Sequence, residues 1–206
     1  MKHIVFKILF LASLIVGSLN AQLVLEDFES YIDTSSLQTD VFTFGSAAQA
    51  GKPSLVVGLG ENGTNAACFN LTWETGNNAN LSFINLSPNT QDLSFYSEIS
   101  AFIFIEAYPV TGGFTEMSTP TVVKLAIEGN DGTIWQTRSV KAEKPPVDSS
   151  YKLRFNLSQI DMERIDGKGN FNTTIADVKN IRLRFENAKK AGFRQDAYID
   201  SIVAAQ

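Results

Sequence analysis

The run Ile181-Arg182-Leu183-Arg184-Phe185-Glu186 alternates without a break. Ile181, Leu183 and Phe185 point one way; Arg182, Arg184 and Glu186 point the other. That is the two-residue period of a strand with one buried face. A second run, Ala197 to Val203, follows shortly. It sets Tyr198, Asp200 and Ile202 on one side and Ile199, Ser201 and Val203 on the other. An acid inside such a run is costly unless it has a partner or a cation. A chain that ends this way must build a sheet and must satisfy Asp200.

Similar short runs recur upstream, with turn residues between them. Leu23 to Phe28, Val41 to Phe44, Ser54 to Val57, Ala67 to Trp73 and Leu81 to Leu86 all read as strands. Ile99 to Tyr108 is apolar on both sides, which predicts a central strand. Thr121 to Glu128 and Thr133 to Val140 are joined by Gly129-Asn130-Asp131-Gly132, a hairpin signal. Tyr151 to Leu157 alternates again. Ser158 to Asp166 is the best helical candidate, and Thr174 to Lys179 suits one further turn. About ten short strands with little helix predict an all-β fold, an antiparallel two-sheet sandwich of jelly-roll type.

Met1 to Ala21 reads as a secretory signal peptide. Lys2 and Lys7 give a basic start, and the apolar run Ile8 to Val16 is too short to span a bilayer. The expected cut lies after Ala21, with a cut after Ser18 left open. No cysteine directly follows that run, so an acyl anchor is not expected. Removing 21 of 206 residues leaves 185, over 22–206, which suits a single domain. Lys2 and Lys7 leave with the leader, so the net charge moves from −5 to −7. That argues against a nucleic-acid partner. The chain's one histidine is His3, so the mature protein has none. Ser–His and Cys–His catalysis, and zinc sites that need imidazole, are excluded by inventory. Cys68 is the sole cysteine and sits in an apolar run, so no internal disulfide forms.

Three segments carry a resemblance. They are Leu25-Glu26-Asp27-Phe28-Glu29-Ser30-Tyr31, then Phe155-Asn156-Leu157-Ser158-Gln159-Ile160, and finally Val178 to Phe185 with Tyr198-Ile199-Asp200-Ser201-Ile202. In this order and spacing the chain resembles secreted carbohydrate-binding modules of the galactose-binding-like jelly-roll group. The resemblance implies that the first and last strands lie close together and often share a structural calcium ion. Asp27 and Glu29 share a strand face, and the resemblance brings Asp200 beside them. Carboxylate oxygens are what calcium takes, so Asp27, Glu29 and Asp200 are the candidate metal ligands.

Sugar rings stack on flat aromatic surfaces, which makes exposed aromatics the candidates for a binding platform. Trp135 shares a side with Thr137 and Ser139, so it is the first choice, and Tyr108 at a strand end is the second. Trp73, beside Phe69 and Leu71, is expected in the core. Lys124 and Glu128, Arg154 and Asn156, and Arg182, Arg184 and Glu186 all lie opposite the core residues of their strands. If those strands are neighbours, they form an Arg-rich groove on a concave sheet face. Guanidinium forks suit sugar hydroxyls, carboxylate and sulfate, so an anionic polysaccharide is one ligand such a groove would take.

A glycosidase needs two acids flanking one bond, and Glu106, Glu128 and Glu186 are the acids set on strands. No clustered E-x-D-x-E pattern is present, and a lyase's histidine is missing. The expected protein is therefore a non-catalytic, secreted carbohydrate binder, periplasmic or extracellular, holding a poly- or oligosaccharide. Its alternatives are a jelly-roll glycoside hydrolase or polysaccharide lyase, and an adhesion or matrix protein with a protein partner.

Overall fold

The computed structural model describes residues 22–45, 52–73, 78–83, 91–109, 122–186 and 193–206. The expected leader and the 111–120 loop lie outside them. Twelve strands occur among the described residues: β1 (Gln22–Glu26), β2 (Val41–Phe44), β3 (Ser54–Val56), β4 (Ala66–Trp73), β5 (Asn78–Phe83), β6 (Glu98–Pro109), β7 (Val122–Gly129), β8 (Ile134–Thr137), β9 (Ser150–Asn156), β10 (Met162–Asp166), β11 (Val178–Glu186) and β12 (Phe193–Ala205). Two short helices, α1 (Thr34–Asp40) and α2 (Phe171–Ile175), complete the order. No helix of the described residues is long and apolar enough to cross a membrane.

The strands form two antiparallel sheets. One runs β3-β4-β12-β6-β9, with β1 on the β4 edge of β12; the other runs β10-β8-β7-β11-β5-β2. The expected antiparallel sandwich is the observed fold. Ile99, Ala101, Ile103 and Ile105 of β6 pack with Leu153 and Phe155 of β9 and Ala197 and Ile199 of β12. Val123, Leu125, Ile127, Ile181, Leu183 and Phe185 close the core from the second sheet. Each of the Val, Leu, Ile and Phe side chains among them, fully buried, contributes about 1.5–3 kcal/mol.

The last strand holds the first sheet together. Residues 193–199 of β12 pair with β4, and residues 202–205 pair with β1. β6 runs along its other edge. The register against β6 shifts between Asp200 and Val203, where Ser201 takes φ +50. This bulge corrects the strict alternation expected here. It turns Ile202 and Ala204 into the core beside Ile199, while Asp200 stays on the outer face.

The ends of the sandwich are plugged locally. Asp33 caps α1, accepting from Ser36 N at 2.8 Å, and Ser36 Oγ accepts from Asp33 N at 3.2 Å. This box seats Leu37 in the core. The expected Gly129–Gly132 hairpin joins β7 to β8, with Gly132 at φ +80. The helix expected over 158–166 does not form. Asp161 N and Met162 N bond back to Ser158 O, and Met162–Asp166 then adds β10 to the edge of β8.

Candidate functional site

The outer face of the second sheet carries the site. β7 and β11 pair with Leu183 opposite Leu125, which sets Arg184 opposite Lys124, Arg182 opposite Ala126 and Asn180 opposite Glu128. β8 places Gln136 beside Ala126. β5 places Asn80 beside Arg184 and Ser82 beside Arg182. β2 at the edge brings Phe42 opposite Ser82. One row, Phe42-Ser82-Arg182-Ala126-Gln136-Glu163, therefore crosses all six strands. At the usual strand spacing it is about 24 Å long.

Side chains on this face face away from the core, yet they are enclosed. Lys124 is 6 % exposed, and Gln136, Asn180 and Ala126 are buried with it. Enclosed polar groups must be paired, and most of these are. Lys124 Nζ lies 3.0 Å from Glu186 Oε2, and Arg184 Nε lies 2.9 Å from Glu186 Oε1. Arg184 Nη1 donates to Gln136 Oε1 at 3.3 Å. Glu128 takes Arg182 Nη2 on one oxygen and Lys179 Nζ, at 2.9 Å, on the other. Asn180 Nδ2 donates weakly to Glu128 at 3.5 Å, and its buried Oδ1 has no partner among the described residues.

Four of the expected ligand residues thus meet different fates. Lys124, Arg182 and Arg184 come together as expected. Arg154 does not join them: it lies on β9, in the other sheet, opposite Ser100 of β6. There its side chain is 63 % exposed and 3.7 Å from Glu98. It lines a separate hollow of about 530 Å³ with Lys152, Ser100, Asn156 and Asp161.

Trp135 is not an exposed platform. It pairs with Ile127, whose side is the core side, and is 7 % exposed against Phe171, with ring centroids 5.4 Å apart. Apolar residues on both sides of this short strand hid which face was buried. Tyr108 pairs through its backbone with Arg194 of β12; its side chain and that of Trp73 lie outside the described residues. Phe42, at the edge of this face, is an exposed aromatic that the sequence reasoning passed over. The signal was the Val41-Phe42-Thr43-Phe44 alternation, with Val41 buried.

The three expected metal ligands sit at the opposite sheet. Asp200, 0 % exposed, accepts from Thr64 Oγ1 at 2.7 Å, Glu61 N at 2.9 Å and Ser201 N at 2.6 Å. Glu29 Oε1 accepts from Asn65 N at 2.5 Å, so both acids reach the 58–65 loop. Asp27 accepts from Glu29 N at 3.1 Å. Among the described residues no group of three metal-binding side chains closes on one point. Nearby, burial holds the Glu26 carboxyl above its ordinary value, outweighing hydrogen bonds from Phe28 N, Tyr31 and Asp27 N. Burial, and then the Glu26 charge, push the Tyr31 hydroxyl up, and it donates to Glu26 at 3.0 Å.

The fold has counterparts among solved structures. The family 11 carbohydrate-binding module of the cellulase Lic26A-Cel5E of Clostridium thermocellum aligns with a TM-score of 0.54 at 14 % identity, over 91 % of this chain and 95 % of that one. CBM27-1 of Caldicellulosiruptor saccharolyticus, solved with mannohexaose, gives 0.52 at 13 % identity over 89 % and 96 %. The L4b domain of human laminin alpha-2 gives 0.52 at 11 % over 90 % and 96 %. No family model matches the sequence, and no curated protein matches it. The likeness is one of fold: a β-sandwich of the kind carbohydrate-binding modules use.

Proposed function

We propose that the chain is a secreted, non-catalytic carbohydrate-binding domain spanning 22–206, exported by the leader at 1–21. Its ligand lies along the outer face of the β10-β8-β7-β11-β5-β2 sheet. One observation carries this: a polar row crosses six strands on the side away from the core, partly enclosed, with guanidinium and amide groups pre-positioned by ion pairs. Such groups give and take hydrogen bonds as sugar hydroxyls require, and their fixed geometry lowers the entropy lost on binding. Phe42, 36 % exposed, stands at one end of the row.

The arrangement favours holding over cleaving. Glu128 and Glu186, the two glutamates of the row's centre, are each engaged by two cations. Cleavage needs two carboxyls flanking one bond, and these two are occupied by their ion pairs. A protein-docking role would be favoured by a flat apolar patch, and this face is polar and enclosed. Calcium remains part of the proposal: Glu29 and Asp200, which meet at the 58–65 loop, would hold it and brace that loop. A thermal midpoint that rises with calcium and falls with chelator supports this; no response removes the ion.

The test is electrophoresis of the chain through gels containing neutral and acidic polysaccharides, with product analysis on the same glycans. Retardation without cleavage, lost in Arg182→Gln, is the expected result. Free migration through every gel overturns the proposal, and released sugars overturn its non-catalytic half.

A further inference from the structure

The charge on the binding face is unbalanced in a direction opposite to the chain's. Among the described residues, Lys124 and Arg184 pair with one carboxylate, that of Glu186, and Lys179 and Arg182 with one, that of Glu128. The neighbouring Arg138–Glu163 pair is balanced in itself. The whole chain carries −5. Enclosed cations without counter-charges are costly, and a neutral glycan would gain little from them.

The surplus can be placed. Lys124 and Arg184 share a single carboxylate, that of Glu186. Arg184 has five donors. Its Nη1 reaches Gln136, while its Nε, though close to Glu186, makes no aligned hydrogen bond. Its cross-strand neighbours are Lys124 and Asn80, neither of them an acid. Arg184 keeps 30 % of its side chain exposed, so the outer end of its guanidinium, though not the buried Nε, is left to meet a ligand.

We infer that this face takes a polyuronate, and that Arg184 receives a uronate carboxylate as the missing counter-charge. The inference rests on the binding face proposed above and names its ligand class. A carboxylate is preferred to a sulfate ester because a planar two-oxygen group matches the guanidinium fork. It is also the group, in Glu186, that already sits between Lys124 and Arg184.

The experiment uses the full chain and titration calorimetry. The probes are polygalacturonate, alginate, the same two polymers with their carboxyls reduced to alcohols, a sulfated galactan, and a neutral mannan. Binding to a uronate polymer and its loss on carboxyl reduction are expected. Arg184→Gln should weaken that binding about tenfold or more. Arg184→Lys should recover little of it, since it restores charge without the fork. Arg154→Gln, on the other sheet, should bind as the parent does. Binding to mannan alone, or to sulfated galactan alone, overturns this inference while leaving a carbohydrate binder. Equal binding to the reduced polymers overturns it without any variant. Binding to none of the six overturns it together with the proposed function.

Discussion

Trp135 and Glu26 show what single residues decide. β8 has four residues, with Ile134 outside and Trp135 inside. Truncating Trp135 to Ala opens a cavity against Phe171 and should cost about 3–5 kcal/mol. Trp135→Phe should cost less, and neither should change glycan affinity of the folded protein. Denaturant unfolding and calorimetry check the two halves. Glu26 makes a pH prediction. Its carboxyl is raised in the folded protein by burial, so folding favours the protonated form. That contribution is fully present below the ordinary glutamate value and is lost as pH rises through the raised one. Glu26→Gln, which mimics the protonated form, should therefore stabilise more at pH 7 than at pH 4. A difference independent of pH would sink the argument. Side chains of this kind were partly legible. Arg182, Arg184 and Lys124 could be placed because their strands alternate cleanly. Trp135 could not, because its strand is too short and too apolar on both sides for periodicity to orient it.

Whole elements were legible where local pattern and pairing agree. β6, β7, β9 and β11 follow their alternation, and the Gly129–Gly132 turn is where Asp131 predicts it, with Thr133 N donating to its carboxylate at 2.9 Å. Ser158 to Asp166 was misjudged for a physical reason. Its first residues close a turn held by Ser158, Asn156 and Lys141 around Asp161, and the unpaired edge of β8 recruits the rest as a strand. Tertiary pairing outweighs a modest helical preference. The 58–65 loop is the element most open to test. A Cβ on Gly60 would lie 2.5 Å from Asp200 Oδ2 and 2.6 Å from Thr64 Oγ1, as well as against Asn65 O. Gly60→Ala should cost about 1–3 kcal/mol through overpacking, with faster amide exchange over 58–65. Unchanged exchange there would show that Asp200 does not hold the loop.

At the scale of the molecule, alternation says which side of a strand is polar but not which sheet the strand joins. That is why Arg154 looked like a partner of Arg182: both lie opposite core residues, yet β9 pairs with β6 and β11 with β7. Charge is likewise visible as a sum and hidden as a distribution. An acidic body with a basic face predicts steering of an acidic ligand. Association with polygalacturonate should slow as salt rises from about 0.05 M to about 0.5 M, because screening shortens the reach of that face; stopped-flow rates check it, and a flat profile counts against it. The pairing of β1 with β12 has a mechanical consequence. Gln22 and Ala205 are partners at the open end of that ladder. A load applied between them meets the rungs one after another, so each breaks before the next is stretched. The seam peels like a zip at low force, while the rest of β12 stays clamped between β4 and β6.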